Sequence, residues 1–294
     1  MSEAAFERKR MEAVLRRHGF RFQKKYGQNF LSDPAILDDI VEAAGVTEQD
    51  YVLEIGPGMG TLTARLAEAA GGVLAVEIDH KLIPILEEQL SQFNNVEIIE
   101  GDITRMSLLE ILEKRTGGRT VRVVANLPYY ITTPILMLLL EGDVPYQTIT
   151  VMVQKEVAER MTAAPGTKAY GALSLAVQYR TKAAVDFVLD PQAFYPPPKV
   201  QSAVITLERY DDPPVEAVDE KLLFALIRAA FNQRRKTLAN AVSNAGVLPL
   251  SRQEITELLE ELGHSPTIRG EALSLAEFAA LTNAAAALCG NGQR

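Results

Sequence analysis

Four apolar runs in this sequence each stop at a residue that can bind or react. YVLEIG stops at Gly56, VLAVEID carries Glu77, VEIIEGD stops at Asp102 and VRVVAN stops at Asn126. In EIGPGMGTLT, Gly56, Gly58 and Gly60 fall where the first run gives way to a helical pattern. Glycine there lets the backbone turn sharply and approach a ligand, and a helix start favours negative charge. Alone, such a pattern describes any tight strand-to-helix turn. About twenty residues on, however, Glu77 occupies the place where a carboxylate holds ribose hydroxyls. A nucleoside-bearing cofactor is therefore expected.

Two details select among such cofactors. A dinucleotide loop reads Gly-x-Gly-x-x-Gly, whereas position 61 is Thr. Asp102 should project over the same crevice and accept from an adenine amino group, with Ile78 and Ile103 sandwiching the ring. An edge made of Glu54, Glu77 and Asp102 suits the cationic sulfur of S-adenosylmethionine better than it suits a pyrophosphate. Asn126 would stand beside that cofactor, because chemistry in α/β sheets collects at the carboxyl ends of strands. The exocyclic amine of adenine is a poor nucleophile, its lone pair being delocalised into the ring. Acceptors aimed at both N–H groups would localise that pair, and the Asn126 side-chain oxygen and a backbone carbonyl, that of Leu127 foremost, could be the two. Pro128 would stiffen the turn and Tyr129 could stack on the base, worth about 1–3 kcal/mol. Tyr130 is read as structural. Asn126 taken alone reads as a turn signal; its place beside Gly56, Glu77 and Asp102 favours the chemical reading.

Positioning these residues requires a sheet. Asp33 before Pro34 starts a helix that Gly45 stops. Strands at 51–56, 73–79, 96–102, 121–126 and 148–154 then alternate with helical patterns, including one around 107–115 and one from Pro134 to Gly142. That order implies a parallel sheet with helices on both faces. ERYDDPPVEA, near 208–215, is a charged, proline-rich break, and beyond it every pattern is helical, with Ser274 and Glu277 forming a capping box. The fold expected is α/β, a Rossmann-like sheet of the S-adenosylmethionine-dependent type with a smaller C-terminal all-α domain. Its parts would be a basic arm (1–27), a catalytic domain (28–209) and a helical RNA-binding domain (210–294).

Composition narrows the partners. Cys289 is the only cysteine and the three histidines are scattered, so neither an intrachain disulfide nor a structural metal is expected. The first ten residues, MSEAAFERKR, lack the apolar core of a signal peptide and no apolar run reaches membrane-spanning length. A cytoplasmic protein is expected; nothing demands a dimer, so a monomer is too. The net charge of −8 argues against nucleic acid only on average. Basic residues crowd the first twenty-five positions and recur at Arg228 and 234–236. Two solvated helix faces would explain them equally well. If they bind phosphates, Arg21, Lys24, Lys25, Lys199, Arg234, Arg235 and Lys236 are the candidates.

NLPYY resembles the [N/D]-[PIL]-P-[YF] motif of amino-group methyltransferases. Together with QNFL (28–31), EIGPGMGTLT, VEID, GDI, FYPPPKVQSAV (194–204), RRKTL (234–238) and RGEALSLAEFA (269–279), it resembles the ribosomal RNA adenine N6-dimethyltransferase family, the KsgA type, over essentially the whole chain. The resemblance implies cofactor contacts at Asn29, Leu31, Gly56, Glu77, Asp102 and Asn126, with Gln28 close by. It also implies an aromatic pair, Tyr129 and Phe194, around an extruded adenine. The implied substrate is two adjacent adenines in a hairpin near the 3′ end of small-subunit (16S) ribosomal RNA, each dimethylated late in subunit assembly. Alternatives are a large-subunit (23S) RNA methyltransferase of the macrolide-resistance type and an assembly factor acting mainly by binding. A DNA adenine methyltransferase would need a target-recognition domain, and a dehydrogenase a placed catalytic histidine.

Overall fold

The computed structural model describes residues 3–291. They divide into two compact units, one running to Ala158 and resuming over Ala183–Arg209, the other made of Glu159–Lys182 and the residues from Tyr210 onward.

The first unit is built on a seven-stranded sheet. Its strands are β2 (Tyr51–Ile55), β3 (Gly72–Glu77), β4 (Val96–Glu100), β5 (Val121–Asn126), β6 (Tyr146–Gln154), β7 (Thr181–Leu189) and β9 (Ser202–Arg209); a separate two-stranded ribbon pairs β1 (Phe30–Leu31) with β8 (Phe194–Tyr195). The sheet order is β4-β3-β2-β5-β6-β9-β7. The five strands foreseen from alternation pair in parallel, whereas β9 runs antiparallel to β6. The wholly parallel sheet is thus corrected at one side. A return strand such as β9 needs no crossover helix, so the strand–helix alternation that revealed the others gave no sign of it. Strand order reverses between β2 and β5, which opens a crevice at their carboxyl ends.

Local chemistry sets the helices. They are α1 (Glu3–Arg17), α2 (Pro34–Ala44), α3 (Thr61–Ala69), α4 (Ile83–Gln89), α5 (Leu108–Thr116) and α6 (Thr132–Glu141), with α7 (Lys155–Met161) following β6. Asp33 caps α2 by accepting the Ala35 N–H, and Gly45 ends it in the left-handed conformation. The central strand β2 is buried on both faces, Glu54 included, because helices cover each side. The expected arm at 1–27 is not a separate element: α1 buries Met11, Val14 and Leu15 in a cluster with Phe30, Met59 and Leu82. Lys9, Arg10, Arg16 and Arg17 are exposed, while Arg8 lies over the Tyr195 ring at 4.7 Å; these charges masked the apolar stripe.

The second unit packs α8 (Ala172–Arg180), α9 (Glu220–Asn232), α10 (Leu238–Ala245), α11 (Arg252–Glu261) and α12 (Leu275–Asn291). The Ser274–Glu277 capping box forms as read, Ser274 N donating to Glu277 Oε2 at 2.7 Å and Glu277 N to Ser274 Oγ at 3.3 Å. The border expected at 210 is incomplete, because α8 belongs with these helices. Tyr179 meets Phe224 edge to face at 5.3 Å, and Arg180 pairs with Glu220. Pairing of this kind is set by burial rather than chain order, so a linear reading cannot find it. No helix among the described residues is long and apolar enough to cross a membrane.

Candidate active site

The crevice at the reversal point is walled by the β2–α3 loop, the segment 26–31, Glu77, Ile78 and residues 126–130. Gly56 (φ +70°) and Gly58 (φ +61°) take left-handed conformations. A Cβ at Gly58 would meet the Phe30 ring at 3.0 Å. This turn points the Gly58 N–H at Glu77 Oε2, 3.1 Å away, while Asp79 N–H donates to Oε1 at 2.8 Å. Glu77 is nearly fully buried. Burial outweighs those two donors and pushes its carboxyl up to about 7. Burial pushes neighbouring Glu54 up to about 8, helped by the nearby Glu77 charge. Glu54 Oε2 has no hydrogen-bond partner among the described residues.

Across the crevice, the ribbon strand β1 is held to α3 by a bond from Thr61 Oγ1 to the Leu31 carbonyl, 3.1 Å. Asn29 Nδ2 donates to the Gly27 carbonyl at 3.0 Å. The Asn29 carbonyl in turn accepts from Asn126 Nδ2 at 3.0 Å. That bond fixes the Asn126 amide. With its NH2 group on a carbonyl, its Oδ1 remains as the acceptor. The next peptide is anchored too, since Leu127 N–H donates to Met152 O at 3.1 Å and the Leu127 side chain is fully buried. The Pro128 carbonyl is already taken by Ile131 N–H and Thr132 Oγ1, each at 3.1 Å. Among the described residues none donates to the Leu127 carbonyl. Asn126 Oδ1 and Leu127 O therefore both remain as acceptors at this loop. Tyr129 lines the crevice, its hydroxyl 2.6 Å from Ser202 Oγ on β9 and its phenol held above the usual range by burial.

Comparison with known proteins decides what kind of site this is. The family model described as ribosomal RNA adenine dimethylase matches residues 19–262. The chain belongs to the ribosomal RNA adenine dimethylase family. A curated relative from Lachnoclostridium phytofermentans, "Ribosomal RNA small subunit methyltransferase A", is 55% identical over 92% of this chain and 93% of its own length. One of the same name from Streptococcus pneumoniae serotype 2 is 48% identical over 93% of this chain and 95% of its own. Among solved structures, a dimethyladenosine transferase from Plasmodium falciparum aligns with a TM-score of 0.72 and 27% identity, covering 86% of this chain and 95% of that one. The 23S rRNA methyltransferase ErmE aligns at 0.66 with 25% identity, covering 88% of this chain and 100% of its own.

As a dimethylase of this family, the protein is an enzyme that uses S-adenosylmethionine to methylate ribosomal RNA. Its crevice fits that cofactor. The orphaned Glu54 Oε2 is a buried polar atom in the wall, a Cβ at Gly56 would stand in space with nothing nearer than the Asn126 carbonyl at 4.0 Å, and Glu77 presents its carboxyl at the end of β3. When bound, the cofactor supplies the electrophilic methyl group.

The dimethylase places the remaining expected residues less uniformly. Gln28, Asn29, Leu31, Glu54, Gly56, Gly58, Glu77, Ile78, Asn126, Leu127, Pro128 and Tyr129 all line the crevice. Asp102 and Ile103 stand outside that wall: Asp102 caps its own turn, Oδ1 accepting Thr104 N–H at 3.0 Å and Thr104 Oγ1 at 2.7 Å, and Ile103 is buried. Phe194 is also outside it, at 1% exposure, packed with Leu31, Met152 and Val204. Its register partner in the ribbon is Leu31, and this pairing turns the ring into the core. Tyr130, read as structural, is 54% exposed and lines the crevice. Arg21, Lys25, Lys199, Arg235 and Lys236 are exposed. The side chain of Lys24 lies outside the described residues. Arg234 is instead engaged within its own unit by Glu271 at 2.6 Å and the Thr167 carbonyl at 3.2 Å. Sequence reasoning missed Ser202 and Asp79. Each sits in a motif already quoted, KVQSAV and VEID, but their partners lie 51 to 73 residues away.

Proposed function

We propose that this protein dimethylates the N6 amines of two adjacent adenines in the hairpin near the 3′ end of 16S ribosomal RNA, late in small-subunit assembly. The observation that carries the reading is the aim of Asn126. Its NH2 group is occupied by the Asn29 carbonyl, so its oxygen and the Leu127 carbonyl accept the two N–H groups of the target amine. Localising the lone pair in this way aims it at the methyl group, and the proton leaves after the amine has become cationic. Pro128 stiffens the turn and Tyr129, anchored through Ser202, stacks on the extruded base. Cofactor contacts run through Asn29, Leu31, Gly56, Glu77 and Asn126, with Asp102 and Ile103 at the edge. Phe194 serves by backing Leu31 in the ribbon.

The choice of small-subunit RNA is supported by relatives named for it at 48–55% identity, against 25% for ErmE. The helical residues 210–294 bind RNA, with Arg235 and Lys236 contacting phosphates, and Arg21, Lys25 and Lys199 doing the same in the first unit. The enzyme works as a monomer in the cytoplasm. The test is to supply labelled S-adenosylmethionine with undermethylated small or large subunits and map the modified nucleotide. Label on two adjacent adenines near the 3′ end of 16S RNA is expected. Label on 23S RNA, or small-subunit binding without label, overturns the proposal.

A further inference from the structure

Asp79 lies two residues past Glu77, and its side chain is fully buried. Among the described residues, no cation pairs with it. Its shell is made of neutral donors. Gln23 Nε2 reaches Oδ1 and Oδ2 at 2.8 and 2.9 Å, Gln28 Nε2 reaches Oδ2 at 2.8 Å, and Lys81 N–H reaches Oδ1 at 3.2 Å. The two glutamines are also joined to each other, Gln23 N–H donating to Gln28 Oε1 at 3.0 Å. A shell in which every partner donates demands an acceptor-only side chain, which is ionised Asp and not Asn. Removing those donors would leave a buried charge unpaired, so the arrangement holds together as a unit.

The two ends of this network fall on the two halves of the site. At one end, the Asp79 backbone N–H donates to Glu77 Oε1, the other oxygen of which holds the Gly58 turn. At the other end, the pinned Gln28 is covalently followed by Asn29, whose carbonyl holds the Asn126 NH2 group. We infer that Asp79 is a positioning residue: by clasping Gln23 and Gln28 it sets the segment 23–29 against β3 and thereby aims the Asn126 amide. The inference rests on the proposed role of Asn126. Asp79 does not itself line the crevice or touch either acceptor; it bonds to two residues that do line it, Gln28 and Glu77, and its reach to the Asn126 amide passes through Gln28 and the Asn29 carbonyl.

Three variants test it: Asp79→Asn, Gln28→Glu, and both together. Asp79→Asn brings an NH2 group into a shell of donors, and Gln28→Glu sets a second carboxylate against the first. Combined, they restore complementarity, with the new amide donating to the new carboxylate. Each single variant should lower kcat about a hundredfold, the usual cost of misplacing a reacting geometry by roughly 1 Å. Backbone amides of residues 23–29 should exchange faster in each, and the side-chain NH2 resonance of Asn126, assigned by its loss in Asn126→Ala, should move to its solvent-exposed position. The paired variant should recover turnover, protection and the resonance together. A paired variant as slow as the singles, or Asp79→Asn with unchanged kcat and unchanged Asn126 resonance, overturns the clasp. The same Asn126→Ala protein separates the two readings. If it still turns over, the role of Asn126 falls and the clasp with it. If it is inactive while Asp79→Asn is unimpaired, only the clasp falls.

Discussion

Replacing Asn126 by Ala should separate catalysis from folding. The side chain is half-buried and makes one bond within the protein, Nδ2 to the Asn29 carbonyl at 3.0 Å. Losing a single bond of that kind costs about 1 kcal/mol of stability, and such a loss moves Tm by about 2–4 °C in a unit of this size. The chemical cost is larger. Taking away one preorganised dipole aimed at developing charge slows turnover by about a hundred- to a thousandfold, or about 3–4 kcal/mol. Leu127 O remains but can engage only one of the two N–H groups. The assay is single-turnover transfer of labelled methyl into undermethylated small subunits, with filter binding of RNA and a thermal melt on the same preparation. Turnover should collapse while RNA affinity and most of the melting temperature persist. Parent-level turnover, or a loss that tracks unfolding, would refute the argument that the amide oxygen carries the step.

Burial raises the Glu54 and Glu77 carboxyls from 4.5 to about 8 and about 7. Their folded forms hold protons that the unfolded chain has released, so this stability is fully present below the ordinary carboxylate range and is lost as pH rises through 7 to 8. Urea titrations of the ligand-free protein should show it. Cofactor affinity should move the other way, strengthening through the same window as Glu77 ionises toward the ribose hydroxyls; calorimetry finding no pH dependence would contradict that assignment. Tyr129→Phe and Ser202→Ala should each cost about 1 kcal/mol, yet together cost less than their sum, because the unpaired partner is then gone as well. Strict additivity in denaturation would mean that the hydroxyls do not bond. Charge reversal at Arg235 and Lys236 should flatten the salt dependence of RNA binding by about one to two counterions, and an unchanged slope would make them solvated surface.

Much of the site was legible because the cofactor half is written in local sequence. Gly56, Glu77 and Asn126 each end a mostly apolar run, broken only by Glu54 in the first and Arg122 in the last, and such runs arise when a parallel strand is covered on both faces. The antiparallel β9 lacked that signature of a following helix, and α8 is assigned to its unit by Tyr179 and Arg180 touching residues about forty positions away. The resemblance set Phe194 beside an extruded adenine, whereas it pairs with Leu31 in the ribbon and is buried. Tyr130 reads as structural because tyrosines line sheet edges. Its exposure follows from the Pro128 turn, whose carbonyl caps the next helix through Ile131 and Thr132 and leaves the second ring outside.

The Asn126 amide is aimed by a main-chain carbonyl and not by the side chain of residue 29. Every amino acid carries that carbonyl, so the reactive geometry is insulated from genetic drift at position 29. If the Asn29 side chain meets the cofactor as proposed, substitutions there would retune cofactor affinity while the carbonyl that holds the Asn126 amide stays in place. On that proposed reading, selection on nucleotide binding and selection on the chemical step would act on different atoms of one residue, and a lineage could adjust the first without retracing the second.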